Sequence, residues 1–337
     1  MPKVSVVMSV YKEPTEWLRL SVDSILGQTF TNFEFIIVND CPDREENVLT
    51  LDDYSQRDSR ITIITNEVNM GLTKSLNKAL AVAQGEYIAR MDADDISLPT
   101  RFEKQVAYLD SHSNICAVGS WLVDIDENGK KISDVVRYET DYRWIRAQFL
   151  QNSQLSHPSA MFRRKVKDYT VRYDESIRYA QDYALWVSML PYGEIANIPE
   201  VLLKYRTSNI QITSSKKAEQ QTCAGITQKE AFALFDFPPT ESFLKMYFAM
   251  TVQHNMDLPA NDVKKEFCGF FKKVKMTRNN TLALEIILSS YLSFLQKQSG
   301  ASKAKFAVNA LKHNSLFMLM LGCKLGIDLF KRKSKRK

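Results

Sequence analysis

Apolar residues in this chain come in short runs separated by segments of helical spacing. Residues 4–10, 33–38, 61–64 and 87–91 are apolar runs of strand length. Between the first two, Trp17, Leu18, Leu20, Val22, Ile25 and Leu26 recur at helical intervals; between the third and fourth, Leu72, Leu76, Leu80 and Val82 do so. This alternation predicts right-handed βαβ crossovers and a mostly parallel sheet covered on both faces. Past residue 110 the rhythm loosens, with strand-like pieces at 115–119, 160–163 and 195–206 and a helix at 183–190. From Ser214 strand signals stop, and helical patterns follow at 218–235, 242–256, 260–275, 281–298 and 303–330. The pattern divides the chain into an α/β domain, 1–213, and a helical C-terminal region, 214–337.

Composition supports an ordinary globular protein: 337 residues, 45% hydrophobic and 25% charged, enough for one large domain and a smaller one. The formal charge of +6 is accounted for by Lys331, Arg332, Lys333, Lys335, Arg336 and Lys337, so residues 1–330 are balanced. The basic character belongs to a tail. Few aromatics are interleaved there and no folded nucleic-acid module is visible, so no nucleic-acid partner is expected. The five cysteines stand singly, without a Cys-x-x-Cys pair, which points to a reduced compartment rather than zinc or disulfides. The first residues enter an apolar run at once and read as a buried strand, not a signal peptide.

Candidate chemistry concentrates in Asp92-Ala93-Asp94-Asp95, directly after the fourth apolar run. Strand side chains alternate faces, so Asp92 and Asp94 are expected on one side where the strand ends. Like charges that close repel unless a cation lies between them, and a hard ion such as Mg²⁺ or Mn²⁺ takes carboxylates together with water and substrate phosphate. Turn formation or helix capping would explain the same residues. In an open parallel sheet, ligands bind at the carboxyl ends of strands, where Asp40 and Asp92 are expected to lie.

An ordered series of motifs decides between these readings. Residues 4–12, Asn39-Asp40, Asn69-Met70-Gly71-Leu72 with Asn77, Asp92-Ala93-Asp94-Asp95 with Pro99, Arg101, Phe102 and Gln105, His157-Pro158-Ser159, Gln181-Asp182 with Trp186, and Tyr205-Arg206 resemble the inverting family-2 glycosyltransferases of the bacterial surface-polysaccharide type. The resemblance runs from residue 1 to about 213. It implies the GT-A fold, an α/β three-layer sandwich, and transfer of a sugar from a nucleotide-sugar donor.

By that resemblance Ser9, Tyr11, Asp40, Asn69 and Asp92 would bind the nucleotide, with Asp40 accepting a hydrogen bond from the base ring and Asp92 lying near the ribose. Asp94 would carry Mn²⁺ or Mg²⁺ on the diphosphate, with Asp95 in support. Asp182 would be the general base, because a sugar hydroxyl is a poor nucleophile. Arg101, His157, Gln181, Arg206 and Ser208 would support the site. The chain departs from the family pattern at Gln181, where Glu is usual, and at Ser208, where many relatives have a metal-approaching histidine. The Gln-x-x-Arg-Trp motif of processive synthases is missing, which favours transfer of a single sugar.

The C-terminal helix at 303–330 is interrupted by Lys312, Lys324 and Asp328, too soon for the ~20 apolar residues of a membrane span. Lys324, Asp328, Lys331 and Lys335 fall on one stripe of an otherwise apolar helix, followed by the basic tail. Two such signals suit docking of residues 315–337 on an anionic membrane surface. The expectation is therefore a cytoplasmic protein, peripheral on the inner face of the cell membrane, that glycosylates a lipid-linked glycan. The competing readings are a helix that packs on the protein, a degenerate nucleotide-sugar-binding protein without catalysis, and a nucleotidyltransferase, whose Gly-rich basic loop is missing at 9–14.

Overall fold

The computed structural model describes residues 1–208, 217–235, 239–253, 258–274 and 280–299. They form two compact units: Met1–Arg146 with Ser153–Ala224, and Ala147–Asn152 with the described residues from Gly225 onward.

The first unit begins with β1 (Val4–Val10), α1 (Thr15–Leu26), β2 (Phe33–Asn39), α2 (Glu45–Arg57), β3 (Ile61–Thr65), α3 (Leu72–Val82) and β4 (Tyr87–Arg90). These four strands are parallel in the order β3-β2-β1-β4. Every residue of β1 except Ser9 is buried, as a strand covered on both faces requires, and this is why its sequence is apolar but for Ser5 and Ser9 rather than strictly alternating. The register pairs Val10 with Asn39 and Val7 with Arg90, so the carboxyl ends of β1, β2 and β4 open on one edge.

The chain continues through β5 (Ile96–Ser97), α4 (Arg101–Ser111), β6 (Ile115–Ile125), β7 (Lys131–Val136), α5 (Tyr142–Gln148), β8 (Met161–Arg163), β9 (Lys165–Val166), β10 (Tyr169–Thr170), α6 (Gln181–Met189) and β11 (Glu194–Arg206). The sheet extends past β4 as β8-β6-β11-β5, with β7 on β6, while β9 and β10 pair separately. Strand β8 runs antiparallel to both β4 and β6, and β6 is again parallel to β11. The result is the mixed, mostly parallel α/β sheet of the GT-A fold.

Two elements escape the hydrophobic pattern. In α2 the buried positions are Asn47, Thr50, Leu51 and Tyr54; polar residues fill half of its inner face, so no apolar stripe marks it. Strand β6 runs on past Gly119 to Ile125 because it forms a hairpin with β7. The turn is made by Asp126, whose Oδ1 accepts from the backbone of Asn128 and Lys130 at 3.0 and 2.8 Å, and by Gly129 at φ 80°.

The second unit is helical: α7 (Lys217–Ala233), which starts before the division at Gly225, α8 (Glu241–Thr251), α9 (Ala260–Lys273) and α10 (Thr281–Ser299). Its core is aromatic, with Phe243 stacked on Phe270 at 4.3 Å and Phe267 on Tyr291 at 4.5 Å. Ala147–Asn152 joins it through Gln228 Nε2, which donates to the Leu150 carbonyl at 2.9 Å, and Gln151 Nε2, which donates to Ser290 Oγ at 2.8 Å. None of the described helices is long and apolar enough to cross a membrane. The expected helix at 303–330 and the basic tail lie outside the described residues.

Candidate active site

The three carboxylates lie past the end of β4, in a turn, rather than on the strand itself. The alternation expected of a strand is therefore not what brings Asp92 and Asp94 together. The turn does more, gathering a carboxylate oxygen of each of Asp92, Asp94 and Asp95 within 4.8 Å of one another. Asp95 is fully buried, and its Oδ1 accepts from the backbone N–H of Arg206 at 2.7 Å. Its Oδ2 is buried with no hydrogen-bond partner. Burial, then the charges of Asp94 and Asp92, push the Asp95 carboxyl well above the usual range. A buried, unpartnered carboxylate oxygen among like charges is the situation a cation relieves, and an all-oxygen donor set suits a hard divalent ion. The residues present fit such a metal.

Two buried arginines fix the turn from behind. Arg206, at the end of β11, donates from Nε to the Asp94 carbonyl at 2.8 Å and from Nη1 to the carbonyls of Asp126 and Glu127, both at 2.9 Å. Its guanidinium also lies over the Trp17 ring, 4.9 Å from the centroid. Arg101 opens α4 and donates from Nη2 to the carbonyls of Arg90 and Ala160 at 2.7 and 3.2 Å, and from Nε to Gln105 Oε1 at 3.0 Å. Burial, then the nearby charge of Arg90, lowers the Arg101 guanidinium to about 9. Both side chains shape the site without facing its open edge.

At the end of β2, Asp40 is buried and its carboxylate is heavily used. Oδ1 accepts from Asn66 Nδ2 and the Met70 N–H, each at 2.7 Å, and Oδ2 accepts from the Gly71 N–H at 2.9 Å. Asp40 thus gathers the loop that feeds α3, where Gly71 adopts φ 83°, a conformation costly for a side-chain-bearing residue. Asn69 is exposed in this loop, Ser9 is half-buried near the end of β1, and Tyr11, just past it, is 40% exposed. These three stand at the same edge as the carboxylates.

Asp182 lies in the first turn of α6, after Ala180 in the left-handed region at φ 58°. Burial raises its carboxyl above the ordinary value; the N–H groups of Tyr183 and Asp182 and the charge of Arg90 pull the other way and lose. Gln181 beside it is buried. His157 is also buried, its Nε2 hydrogen-bonded to the Tyr173 hydroxyl at 2.7 Å and its ring edge-on to Trp186. Burial, then Arg90, holds its imidazole well below the usual range, so His157 is a neutral packing and hydrogen-bonding group. The Ser208 hydroxyl is buried without a partner among the described residues.

Sequence reasoning passes over Arg90, Tyr173 and Glu13. Arg90 reads as the polar end of a strand, yet it is 2% exposed and ion-paired with Asp92. Its charge also bears on Asp95, Asp182, His157 and Tyr173. Glu13 accepts from the Tyr11 N–H at 2.8 Å, and its carboxyl is pushed up by burial and also by the charge of Asp92. The available signal for Arg90 was an arginine inside an otherwise apolar run, since a charge there requires a partner.

The profile of Glycosyl transferase family 2 matches residues 5–170. An uncharacterized glycosyltransferase of Methanocaldococcus jannaschii is 38% identical over 229 residues, 68% of this chain and 79% of that one. The O-antigen biosynthesis glycosyltransferase WbnJ of Escherichia coli is 33% identical over 230 residues, 67% and 88% of the two chains. Among solved structures, S. aureus TarS 1-349 in complex with UDP-GlcNAc aligns with a TM-score of 0.56 at 16% identity, covering 96% of this chain and 91% of that one. The mannosyltransferase PcManGT from Pyrobaculum calidifontis, in complex with GDP-Man and Mn²⁺, aligns with a TM-score of 0.54 at 12% identity, covering 98% and 88%. At those identities the structural likeness speaks for the fold alone. The sequence relatives, together with a site built at the carboxyl ends of β1, β2 and β4, establish that this chain belongs to glycosyl transferase family 2 and is a glycosyltransferase.

Proposed function

We propose that this enzyme transfers one sugar, with inversion, from a nucleotide sugar, namely a UDP-sugar, to a hydroxyl of a lipid-linked glycan. The observation that carries the reading is the cluster of Asp92, Asp94 and Asp95, with Asp92 ion-paired to the buried Arg90, whose charge also acts on Asp182. On this reading Ser9 and Tyr11 frame the base and Asn69 holds the nucleotide. Asp40 uses three of a carboxylate's roughly four acceptor sites on the loop before α3. The remaining one suits the imide N–H of uracil. Asp92 takes the ribose hydroxyls.

Asp94, supported by Asp95, would hold Mn²⁺ or Mg²⁺, which neutralises charge on the departing nucleoside diphosphate. Asp182 accepts the proton of the acceptor hydroxyl as that oxygen attacks the anomeric carbon from the face opposite the leaving group. The WbnJ relative is named for O-antigen biosynthesis, which supports a glycan acceptor. The apolar, basic segment 315–337 supports acceptors held at the inner face of a membrane.

A base works only when ionised, so kcat falls as pH drops through the Asp182 pKa. Because that pKa is raised, the acid limb of the pH–kcat profile is expected at higher pH than the ~3.9 of an ordinary aspartate. Removal of residues 315–337 is expected to abolish co-sedimentation with phosphatidylserine vesicles; undiminished binding would overturn the membrane assignment. The nucleotide assignment is tested by thermal shift with UDP- and GDP-sugars and Mn²⁺, because a ligand of the folded state raises its apparent stability. Stabilisation by UDP-sugars is expected; none by any nucleotide sugar would contradict the proposal.

A further inference from the structure

We infer that Arg90 is the built-in counter-ion of the carboxylate turn: its guanidinium holds Asp92, and its positive charge opposes a divalent cation entering the turn at Asp94. The inference rests on the reading that the turn takes such a cation.

The geometry separates Arg90 from the other two buried arginines. Arg101 and Arg206 direct their donors largely to backbone carbonyls, whereas the Arg90 guanidinium is ion-paired with a carboxylate, Asp92. The backbone at Arg90 is held on both sides, its N–H donating to the Ala160 carbonyl at 3.0 Å and its carbonyl accepting from Arg101 at 2.7 Å. The guanidinium therefore projects from a fixed point. Its Nε and Nη1 are both buried with no hydrogen-bond partner, and Nη1 is the atom ion-paired with Asp92, so the guanidinium is held by charge and not by a hydrogen-bond network. A buried charge of this kind is costly unless compensated. Asp92 is its direct partner, and that carboxylate is still 32% exposed toward the open edge. Asp92 thus has Arg90 on its inner side and solvent on its outer side. The arrangement keeps it ionised and oriented before ligands arrive, and it limits how tightly the turn binds a bare cation.

The test uses Mn²⁺ alone, measured by calorimetry or by the electron-paramagnetic signal of free Mn²⁺, on the full chain without nucleotide. Arg90→Met removes the positive charge and is expected to tighten Mn²⁺ binding roughly tenfold, while transfer falls because Asp92 is no longer oriented. Arg90→Lys restores the charge and is expected to keep Mn²⁺ affinity close to that of the parent protein. Equal or weaker Mn²⁺ binding by folded Arg90→Met would overturn the inference, since a merely structural arginine predicts loss of the turn and of its metal together. Should Arg90→Met fail to fold, the melting temperature of Asp92→Asn decides. Stranding the buried guanidinium should lower it by several degrees. An unchanged or raised value contradicts the pairing, because relief of carboxylate repulsion would then dominate. The Mn²⁺-binding and melting readouts use no donor or acceptor, so failure to detect sugar transfer would sink the proposed function and leave them standing.

Discussion

Asp182→Asn is expected to lower kcat by about 10²–10⁴-fold, the usual contribution of a positioned base, with little change in donor KM. The substitution keeps the side-chain shape and removes the group proposed to accept the acceptor's proton. Folding should survive it, and for a specific reason. The carboxylate sits in the first turn of α6, where the N–H groups of Tyr183 and Asp182 favour a charge, yet burial outweighs them and raises its pKa. An amide suffers less from that burial and still accepts from the same N–H groups. The check is steady-state release of nucleoside diphosphate beside a thermal melt. Turnover equal to that of the parent enzyme would remove Asp182 from the mechanism.

Asp94→Asn is expected to cost about 10³-fold in transfer, because Lewis-acid stabilisation of a departing diphosphate is worth several kcal/mol and each ~1.4 kcal/mol is a factor of ten. Its signature should differ from that of Asp182→Asn. Losing Asp94 should weaken Mn²⁺ and nucleotide binding along with turnover, whereas losing Asp182 should leave both binding steps intact. The turn should keep its shape, since Arg206 holds it through the Asp94 carbonyl and the Asp95 carboxylate rather than through the Asp94 side chain. Excess Mn²⁺ should restore part of the lost activity. Unchanged Mn²⁺ affinity in calorimetry would remove Asp94 from the metal site.

Most of the parallel half of the sheet was legible because strands buried on both faces are largely apolar, as β1 is apart from Ser5 and Ser9 and β2 apart from Glu34 and Asn39. Helix α3 was expected from Leu72, Leu76, Leu80 and Val82; it forms there, although of these only Leu76 is fully buried and its inner face also carries Thr73, Ser75 and Asn77. Helix α2 was hidden by Asn47 and Thr50 on its inner face, and the β6–β7 hairpin by partly exposed strands with no clean alternation. The segment Ala147–Asn152 joins the helical unit through contacts more than 70 residues distant in sequence. No local pattern encodes such a contact.

The candidate site divides along similar lines. Residue types that carry their own chemistry, the aspartates above all, announce themselves in sequence. What holds them does not. That Asp40 spends three hydrogen bonds on the loop before α3, that Arg206 grips the turn through carbonyls, and that Arg90 pairs with Asp92 all depend on tertiary placement. His157 was expected as a supporting residue near the active site; its neutral ring bonded to Tyr173 is compatible with that place and gives it a packing task.

Acceptor-dependent transfer from a nucleotide sugar at this turn can be measured directly. The most direct measurement supplies purified full-length protein and Mn²⁺ with a panel of UDP- and GDP-sugars, with and without a membrane extract containing lipid-linked glycans, and quantifies free nucleoside diphosphate. Release from a UDP-sugar that requires both the extract and Asp182 is expected. Release that is unaffected by Asp182→Asn, or no release from any donor in the presence of acceptor, would contradict it.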